Sequence, residues 1–109
     1  MSNLPKSYRQ FKKDHARLWR AYDKLGAAAA ESGPLDAKTR ELIKLGMAAA
    51  QRSESAVKSH AHRALEEGAS VDEVIHAVLL GVTTIGFPAM MTALSWAQEA
   101  ISAQTPQGD

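Results

Sequence analysis

The sequence predicts an all-α fold, and three observations lead to that prediction. Apolar residues recur at alternating spacings of three and four along most of the chain, which is the periodicity of an amphipathic helix. No stretch alternates with a period of two for long enough to indicate a strand. Glycines and prolines fall between the periodic segments, where they end helices. We therefore expect a compact bundle of about five to six helices.

The composition fits one globular domain and excludes several kinds of chemistry. Of the 109 residues, 45% are apolar and 23% are charged, and the formal net charge is +1. This length can bury one core, so we expect a single domain over residues 1–109 with frayed tails at 1–7 and 104–109. The chain has no cysteine. Disulfides, thiolate-ligated metals and thiol nucleophiles are therefore excluded.

Neither a secretory signal nor a membrane span is expected. The N-terminal residues are basic, but no apolar segment follows them. The longest apolar run, residues 74–91, is interrupted by polar residues, a glycine and a proline. We expect a cytoplasmic protein that does not bind membranes.

The first helical segment, residues 8–31, carries an apolar and aromatic stripe. Asp14 has the side chain of an N-cap, so either one bent helix or two helices fit the pattern. Residues 1–24 contain seven Lys or Arg and two Asp, a local charge of +5. A solvated face explains this charge more simply than nucleic-acid binding does, and no nucleic acid is expected as a partner. The stripe consists of Tyr8, Phe11, His15, Leu18, Tyr22 and Leu25, with Trp19 beside it.

Capping signals mark the remaining helices. Asp36 is a good N-cap for a second helix that runs to about residue 51, and a third helix should cover residues 53–67 and stop at Gly68. Ser70 and Glu73 have the spacing of a capping box, which begins a fourth helix. That helix is apolar on nearly every side, so we expect it to be the central, most buried helix and to end at residues 86–88.

A fifth helix should begin at Pro88, because proline suits the first helical turn. Its predicted stripe contains Met91, Leu94 and Ile101, with Trp96 on another side.

Two residues on the second and third helices are candidates for chemistry. His60 projects onto the same line as Val57 and Ala64, so it should point inward, whereas His62 projects onto the opposite side. A core histidine that bonds one backbone carbonyl is the alternative reading. Glu41 lies at the edge of the apolar face of the second helix. It either pairs with a Lys or Arg of another helix or is oriented toward His60 as part of an acid–base pair.

Metal and nucleotide sites have no support in the sequence. His60 and His62 are two residues apart on a helix, so their side chains diverge, and no histidine pair has the i, i+4 spacing. Phosphate-binding glycine motifs are missing as well. We expect no metal and no cofactor.

Four segments together resemble the carboxymuconolactone decarboxylase family, which includes the alkylhydroperoxidase-D-like proteins. The segments are LDAKTREL at 35–42, SESAVKSH at 53–60, HAHRALEEGAS at 60–70 with Glu73 after it, and GFPA at 86–89. The resemblance covers about residues 18–103 and implies an alkylhydroperoxidase-D-like fold. It also implies a homotrimer or homohexamer with sites near subunit contacts, for which Trp19, Trp96, Met90 and Met91 are available.

The peroxidase branch of this family uses a CxxCxxxH motif with a glutamate twelve residues before the first cysteine. In this sequence the histidine falls on His60 and the glutamate on Glu41, while the two cysteine positions hold Ser53 and Ala56. Without a thiolate the chain cannot reduce a peroxide by that route.

The decarboxylase branch lacks those cysteines and is similar to this sequence. The resemblance implies cofactor-free decarboxylation or isomerisation of a small carboxylated lactone or carbonyl compound. We expect His60 to be the acid/base and Glu41 its orienting partner, in hydrogen-bond reach beside a polar cavity. Arg52, ranked ahead of Lys58 and Arg63, and Ser53 should bind the substrate.

A non-catalytic alternative stays open. A chain that kept the family scaffold after losing the thiols would be an oligomeric helical module that binds or assists another protein. This alternative predicts no enclosed pocket and little change in activity when His60 is replaced.

Overall fold

Six helices and one short 3-10 turn make up the described part of the chain, residues 6–104, in a computed structural model. The all-α prediction is confirmed. The helices are α1 (Lys6–Asp14), α2 (Ala16–Ala30), α3 (Ala37–Ala50), α4 (Glu54–Glu66), α5 (Val71–Leu79) and α6 (Phe87–Gln104), and the 3-10 turn is Leu80–Thr83. Residues 6, 7 and 104 of the predicted tails are helical, and the rest of the tails lies outside the described residues.

The first of two compact units contains α1 and α2. The two helices are separate, since His15 leaves helical geometry between them with φ −133° and ψ 54°. Asp14 is not the cap: it ends α1, and its carboxylate accepts a hydrogen bond from Gln10 at 3.0 Å. No residue of either helix is buried. The apolar stripe of this unit is therefore exposed, with Leu18 at 59% and Tyr22 and Leu25 at 65%.

In the second unit, α3 to α6, the helix starts agree with the capping signals. The Asp36 side chain accepts from the Thr39 backbone N–H at 2.9 Å, and the Ser53 hydroxyl accepts from that of Ala56 at 3.3 Å. Ser70 and Glu73 form the predicted capping box at the start of α5. Each cap satisfies a helix N–H that has no partner within the helix.

The core of the second unit combines four larger side chains with an alanine lining. Leu45, Val57, Val74 and Val78 are almost completely buried, and several alanines of α3, α4 and α6 surround them. Because alanine side chains are short, the helices can approach closely. A substitution that changes the volume of a core side chain even slightly should therefore disturb the packing of this unit.

The prediction that α5 is the most buried helix is wrong. Two of its nine residues, Val74 and Val78, are buried, which is the same fraction as four of eighteen in α6 and slightly less than three of thirteen in α4. The helix also ends earlier than expected, at Leu79, because the chain tightens into the 3-10 turn and the N–H groups of Ile85 and Gly86 return to the Gly81 carbonyl. The apolar residues of the turn are consequently left outside, with Leu80 at 61% exposed.

The face that α6 buries also differs from the predicted stripe. Small residues and Met90 form the buried face, while Leu94, Trp96 and Ile101 pack at its edge and Met91 is 44% exposed. The close approach of α6 to its neighbours explains this, since alanine fits a contact that larger side chains would hold apart. Within residues 6–104 no helix is long and apolar enough to cross a membrane.

Candidate acid–base site

A direct hydrogen bond joins α3 to α4 through the two candidate residues. The Nδ1 atom of His60 lies 2.8 Å from Oε1 of Glu41. The two side chains are 20% and 16% exposed, so the pair is half-buried at the surface of the second unit. His60 is therefore bonded to a carboxylate and not, as in the alternative reading, to a backbone carbonyl. The distance is that of a charge-assisted hydrogen bond.

Local packing on both helices holds the pair in place. One turn after Glu41, Leu45 is fully buried, and His60 stands between the buried residues Val57 and Ala64. A tight turn connects the helices, in which the Ser53 N–H returns to the Ala48 carbonyl at 3.2 Å. The short connection and shared core make α3 and α4 an αα-hairpin, which fixes the register of the two side chains.

The carboxyl of Glu41 is stabilised in its ionised form. Partial burial raises the pKa of this carboxyl, but the hydrogen bond and charge of His60, with the charges of Lys44 and Arg63, outweigh burial and leave the pKa below its ordinary value. An ionised carboxylate can only accept hydrogen bonds, so we assign the proton of this contact to Nδ1 of His60, which donates it.

The other ring nitrogen of His60 is the one available for chemistry. With Nδ1 committed to Glu41, Nε2 is the lone-pair nitrogen of the neutral ring and the second donor of the charged ring. No side-chain nitrogen or oxygen in the described part of the chain is both buried and without a partner. Since the recorded bond of His60 is made by Nδ1, Nε2 must be reachable from solvent.

The two residues predicted to bind substrate lie at the turn before α4. Ser53 caps that helix with its hydroxyl, and Arg52 is exposed with a left-handed φ of 55°. Ser53 is seven residues from His60, about 10 Å along the helix axis. The hydrogen-bonded site thus brings together Glu41 and His60 and leaves Arg52 and Ser53 at the end of the hairpin. Their substrate-binding role stays a prediction.

His62 is less exposed than its position on the helix suggested. Its side chain is 19% exposed, close to the 20% of His60, and its Nε2 lies 3.2 Å from a carboxylate oxygen of Glu66. His62 projects onto the opposite side of the helix from His60, and the two histidines have different partners although they are buried to a similar degree.

A separate groove of about 510 Å³ lies between α3, α5 and the 3-10 turn. Its lining is mainly apolar, with Thr39, Glu73, His76 and Thr84 as polar groups, and it includes neither Glu41 nor His60. It is thus not the polar cavity expected beside the pair. Sequence reasoning missed this groove. Gly46 is part of its lining, but a glycine within a helical segment does not by itself indicate a groove.

Metal binding has no support in the geometry either. Within residues 6–104 no group of three or more His, Asp or Glu side chains is arranged to hold an ion.

The bundle with a Glu–His pair across one helical hairpin defines the class of protein: an all-α scaffold that holds an imidazole against a carboxylate. The chain belongs to the carboxymuconolactone decarboxylase family, whose sequence profile matches residues 16–99.

A bacterial relative is similar over part of this chain. A Haemophilus influenzae protein of uncharacterised function is 48% identical over 63 residues, which are 58% of this chain and 56% of that protein. The chain thus spans little more than half the length of this relative.

Two crystal structures share the fold. The apo form of a carboxymuconolactone decarboxylase family protein from Legionella pneumophila has a TM-score of 0.77 and 28% identity, covering 89% of this chain and 86% of that one. A family protein from Thermotoga maritima has a TM-score of 0.70 and 24% identity, covering 91% and 90%. The second is similar in fold alone.

Proposed function

We propose that this protein is a cofactor-free acid–base enzyme that decarboxylates or isomerises a small carboxylated lactone or carbonyl compound. The observation that carries the proposal is the 2.8 Å contact between Nδ1 of His60 and Oε1 of Glu41, which leaves Nε2 of His60 open to solvent. Family membership supports it, and the absence of cysteine excludes the thiol route to peroxide reduction.

In a decarboxylation, His60 acts as the general acid. The bond between the carboxylate carbon and its neighbour breaks, carbon dioxide leaves, and the electron pair moves into the conjugated carbonyl. The charged ring of His60 then donates its Nε2 proton to the carbon where the pair returns, and water restores that proton. The products are carbon dioxide and the carbonyl compound, which carries a new C–H bond in place of the lost carboxylate.

In an isomerisation, the same nitrogen acts first as a base. The neutral ring takes a proton from the carbon next to the carbonyl and returns it at another carbon, so the overall composition of the substrate is unchanged. In both reactions Glu41 is a positioning residue: it fixes the tautomer of His60 and stabilises the charged ring.

A second function is favoured by the exposed stripe of α1 and α2. Large apolar side chains such as Leu18, Tyr22 and Leu25 are more than half exposed, and neither helix has a buried residue. A continuous apolar surface of this kind is typical of an interaction site. The stripe supports the proposal that copies of the chain assemble into an oligomer. The second candidate function is therefore a non-catalytic oligomeric module, in which the Glu–His pair carries out no reaction.

Turnover separates the two functions. The wild-type chain is tested against a panel of β-keto acids and carboxylated lactones, with carbon dioxide release and proton NMR of the product as readouts. His60→Gln should lower kcat by about 10²- to 10⁴-fold, because general acid–base catalysis contributes that much. His62→Gln is the matched control, since its side chain is equally exposed on the same helix, and it should retain activity.

Two results would contradict the enzymatic proposal. Activity that survives His60→Gln would remove His60 from the reaction. A wild-type chain that turns over no member of the panel, yet forms oligomers by light scattering, would favour the non-catalytic module.

A further inference from the structure

The formal net charge of +1 hides an uneven distribution of charge along the chain. The first unit, residues 1–35, carries seven Lys or Arg and three Asp or Glu, which gives a formal charge of +4, whereas residues 36–109 carry six and nine, which gives −3. All seven cations of the first unit lie on α1 or α2. The near-zero total therefore conceals a cationic helical segment.

Cationic and apolar side chains lie on opposite faces of these two helices. With about 100° between successive residues, the cations of each helix recur at spacings of three and four, and the large apolar residues recur in the same way on the other side. Each helix is therefore amphipathic with a basic polar face. The cationic faces hold Lys6, Arg9 and Lys13 on α1 and Arg17, Arg20 and Lys24 on α2, and the apolar faces hold Tyr8 and Phe11 on α1 and Leu18, Tyr22 and Leu25 on α2.

Cations of this segment are not neutralised within the described part of the chain. No described carboxylate lies within 4.0 Å of Arg17, Arg20 or Lys24, and all three residues are exposed. In the second unit, by contrast, Lys38 and Lys58 are paired with carboxylates. An unpaired basic face creates a positive potential at its surface, which attracts an anionic partner.

The partner of this segment has to account for the apolar face as well as the basic face. A nucleic acid would contact the cations and leave the apolar stripe in water, and a second copy that covered the stripe would leave the cations on the opposite face in water. The surface of an anionic bilayer satisfies both faces, because apolar side chains enter the boundary between headgroups and acyl chains while long cationic side chains extend to the headgroup phosphates. Tyr8, Trp19 and Tyr22 suit this boundary, since their rings are apolar and carry a polar group.

We propose that α1 and α2 bind the surface of membranes that contain anionic phospholipids, with the apolar stripe inserted and the cations held by the headgroup phosphates. Helices of this kind lie in the plane of the membrane and do not cross it, so the proposal agrees with the absence of a spanning helix in residues 6–104. The expectation that the chain does not bind membranes rested on the interrupted apolar run at residues 74–91, which this mode of binding does not need. No residue of the Glu41–His60 site takes part, so the inference is independent of the proposed function.

Vesicle binding by the full-length chain tests the proposal. Wild-type protein is mixed with vesicles of phosphatidylcholine alone, or of equal parts phosphatidylcholine and phosphatidylglycerol, and the bound fraction is measured by co-sedimentation. The protein should bind the anionic vesicles and not the neutral ones, and binding should weaken as the salt concentration rises, because ions screen the attraction. In Trp96→Phe the remaining tryptophan is Trp19, whose fluorescence should shift to shorter wavelength when anionic vesicles are added.

Matched substitutions distinguish the cations of α2 from those of the second unit. Arg20→Gln should weaken binding to anionic vesicles by roughly fivefold, and the double variant with Arg17→Gln by more, since each cation near an anionic leaflet contributes about that factor. Arg52→Gln removes an exposed cation of the second unit and should leave binding unchanged. Leu25→Gln keeps the charge and should weaken binding, because less apolar surface is inserted. Circular dichroism and thermal unfolding show that each variant is folded.

The proposal would be overturned if wild-type protein binds anionic vesicles no better than neutral ones, or if Arg20→Gln binds as wild type while Arg52→Gln does not. Self-association by light scattering that persists in the presence of vesicles, with no shift in Trp19 fluorescence, would also overturn it and would assign the stripe to a second copy. Binding to duplex DNA without binding to vesicles would overturn it in favour of a nucleic acid as the partner of the basic face.

Discussion

Two pairs of helices in this chain were predicted from the same apolar periodicity but have very different surroundings. The α3–α4 hairpin buries Leu45 and Val57 completely and bonds Glu41 to His60 across the pair. Neither α1 nor α2 has a buried residue, and their apolar stripe is exposed. Periodicity therefore predicts a helix and its apolar face. Whether that face is buried depends on other helices of the fold, or on another molecule, that pack against it. The hydrogen-bonded Glu41–His60 pair lies in the α3–α4 hairpin, whose apolar face is buried.

The largest expected difference between the two regions is in stability. Leu45→Ala should lower the free energy of unfolding by about 2–5 kcal/mol, because it removes a fully buried side chain and leaves a cavity. Leu25→Ala deletes the same atoms from a side chain that is 65% exposed and should change it by less than about 0.5 kcal/mol. Urea denaturation of both variants measures the difference.

The same two variants can be compared at several protein concentrations. If copies of the chain cover the stripe, Leu25→Ala should become more destabilising as the concentration rises, whereas Leu45→Ala should not. Equal effects of the two substitutions in dilute protein would contradict the distinction between the covered and the exposed pair.

A smaller effect on stability is expected from Glu41 of the α3–α4 hairpin when the pH is lowered. The pKa of Glu41 is lower in the folded chain than its ordinary value of 4.5, so the folded state favours the ionised carboxyl. Its contribution to stability is fully present above that value and is lost as the pH falls through the folded-state pKa.

The stability of wild type relative to Glu41→Gln should therefore decline as the pH is lowered from 7 toward 3. The comparison between the two proteins removes the contributions of Asp36 and Glu73, whose pKa values are also lowered, mainly by hydrogen bonds to Thr39 and Ser70. Denaturation curves at several pH values give the result. A difference that stays constant over this range would show that the folded environment does not favour the ionised form of Glu41.

The parts of the fold that depend on local sequence were predictable. Asp36 and the Ser70–Glu73 capping box act on backbone groups within three residues, so their side chains determine the outcome directly. The position of Glu41 opposite His60 was also accessible, because helical projection gives the inward direction and the family resemblance aligned the two residues.

Features that depend on neighbouring helices were not predictable. The apolar sequence of α5 suggested burial on all sides, but burial requires elements to pack there, and Leu80 is left exposed. The groove beside Gly46 likewise forms only where α3 meets α5.

The most direct test of the Glu41–His60 site is the tautomer of His60, read from the nitrogen-15 chemical shifts of its ring at neutral or mildly basic pH, with His62→Gln used to assign the resonances. A proton on Nδ1, with a lone pair on Nε2 and a change in the tautomer balance in Glu41→Gln, is the expected result. A neutral ring protonated at Nε2 in wild type, unaffected by Glu41→Gln, would contradict the assignment of His60 as the acid–base group that Glu41 positions.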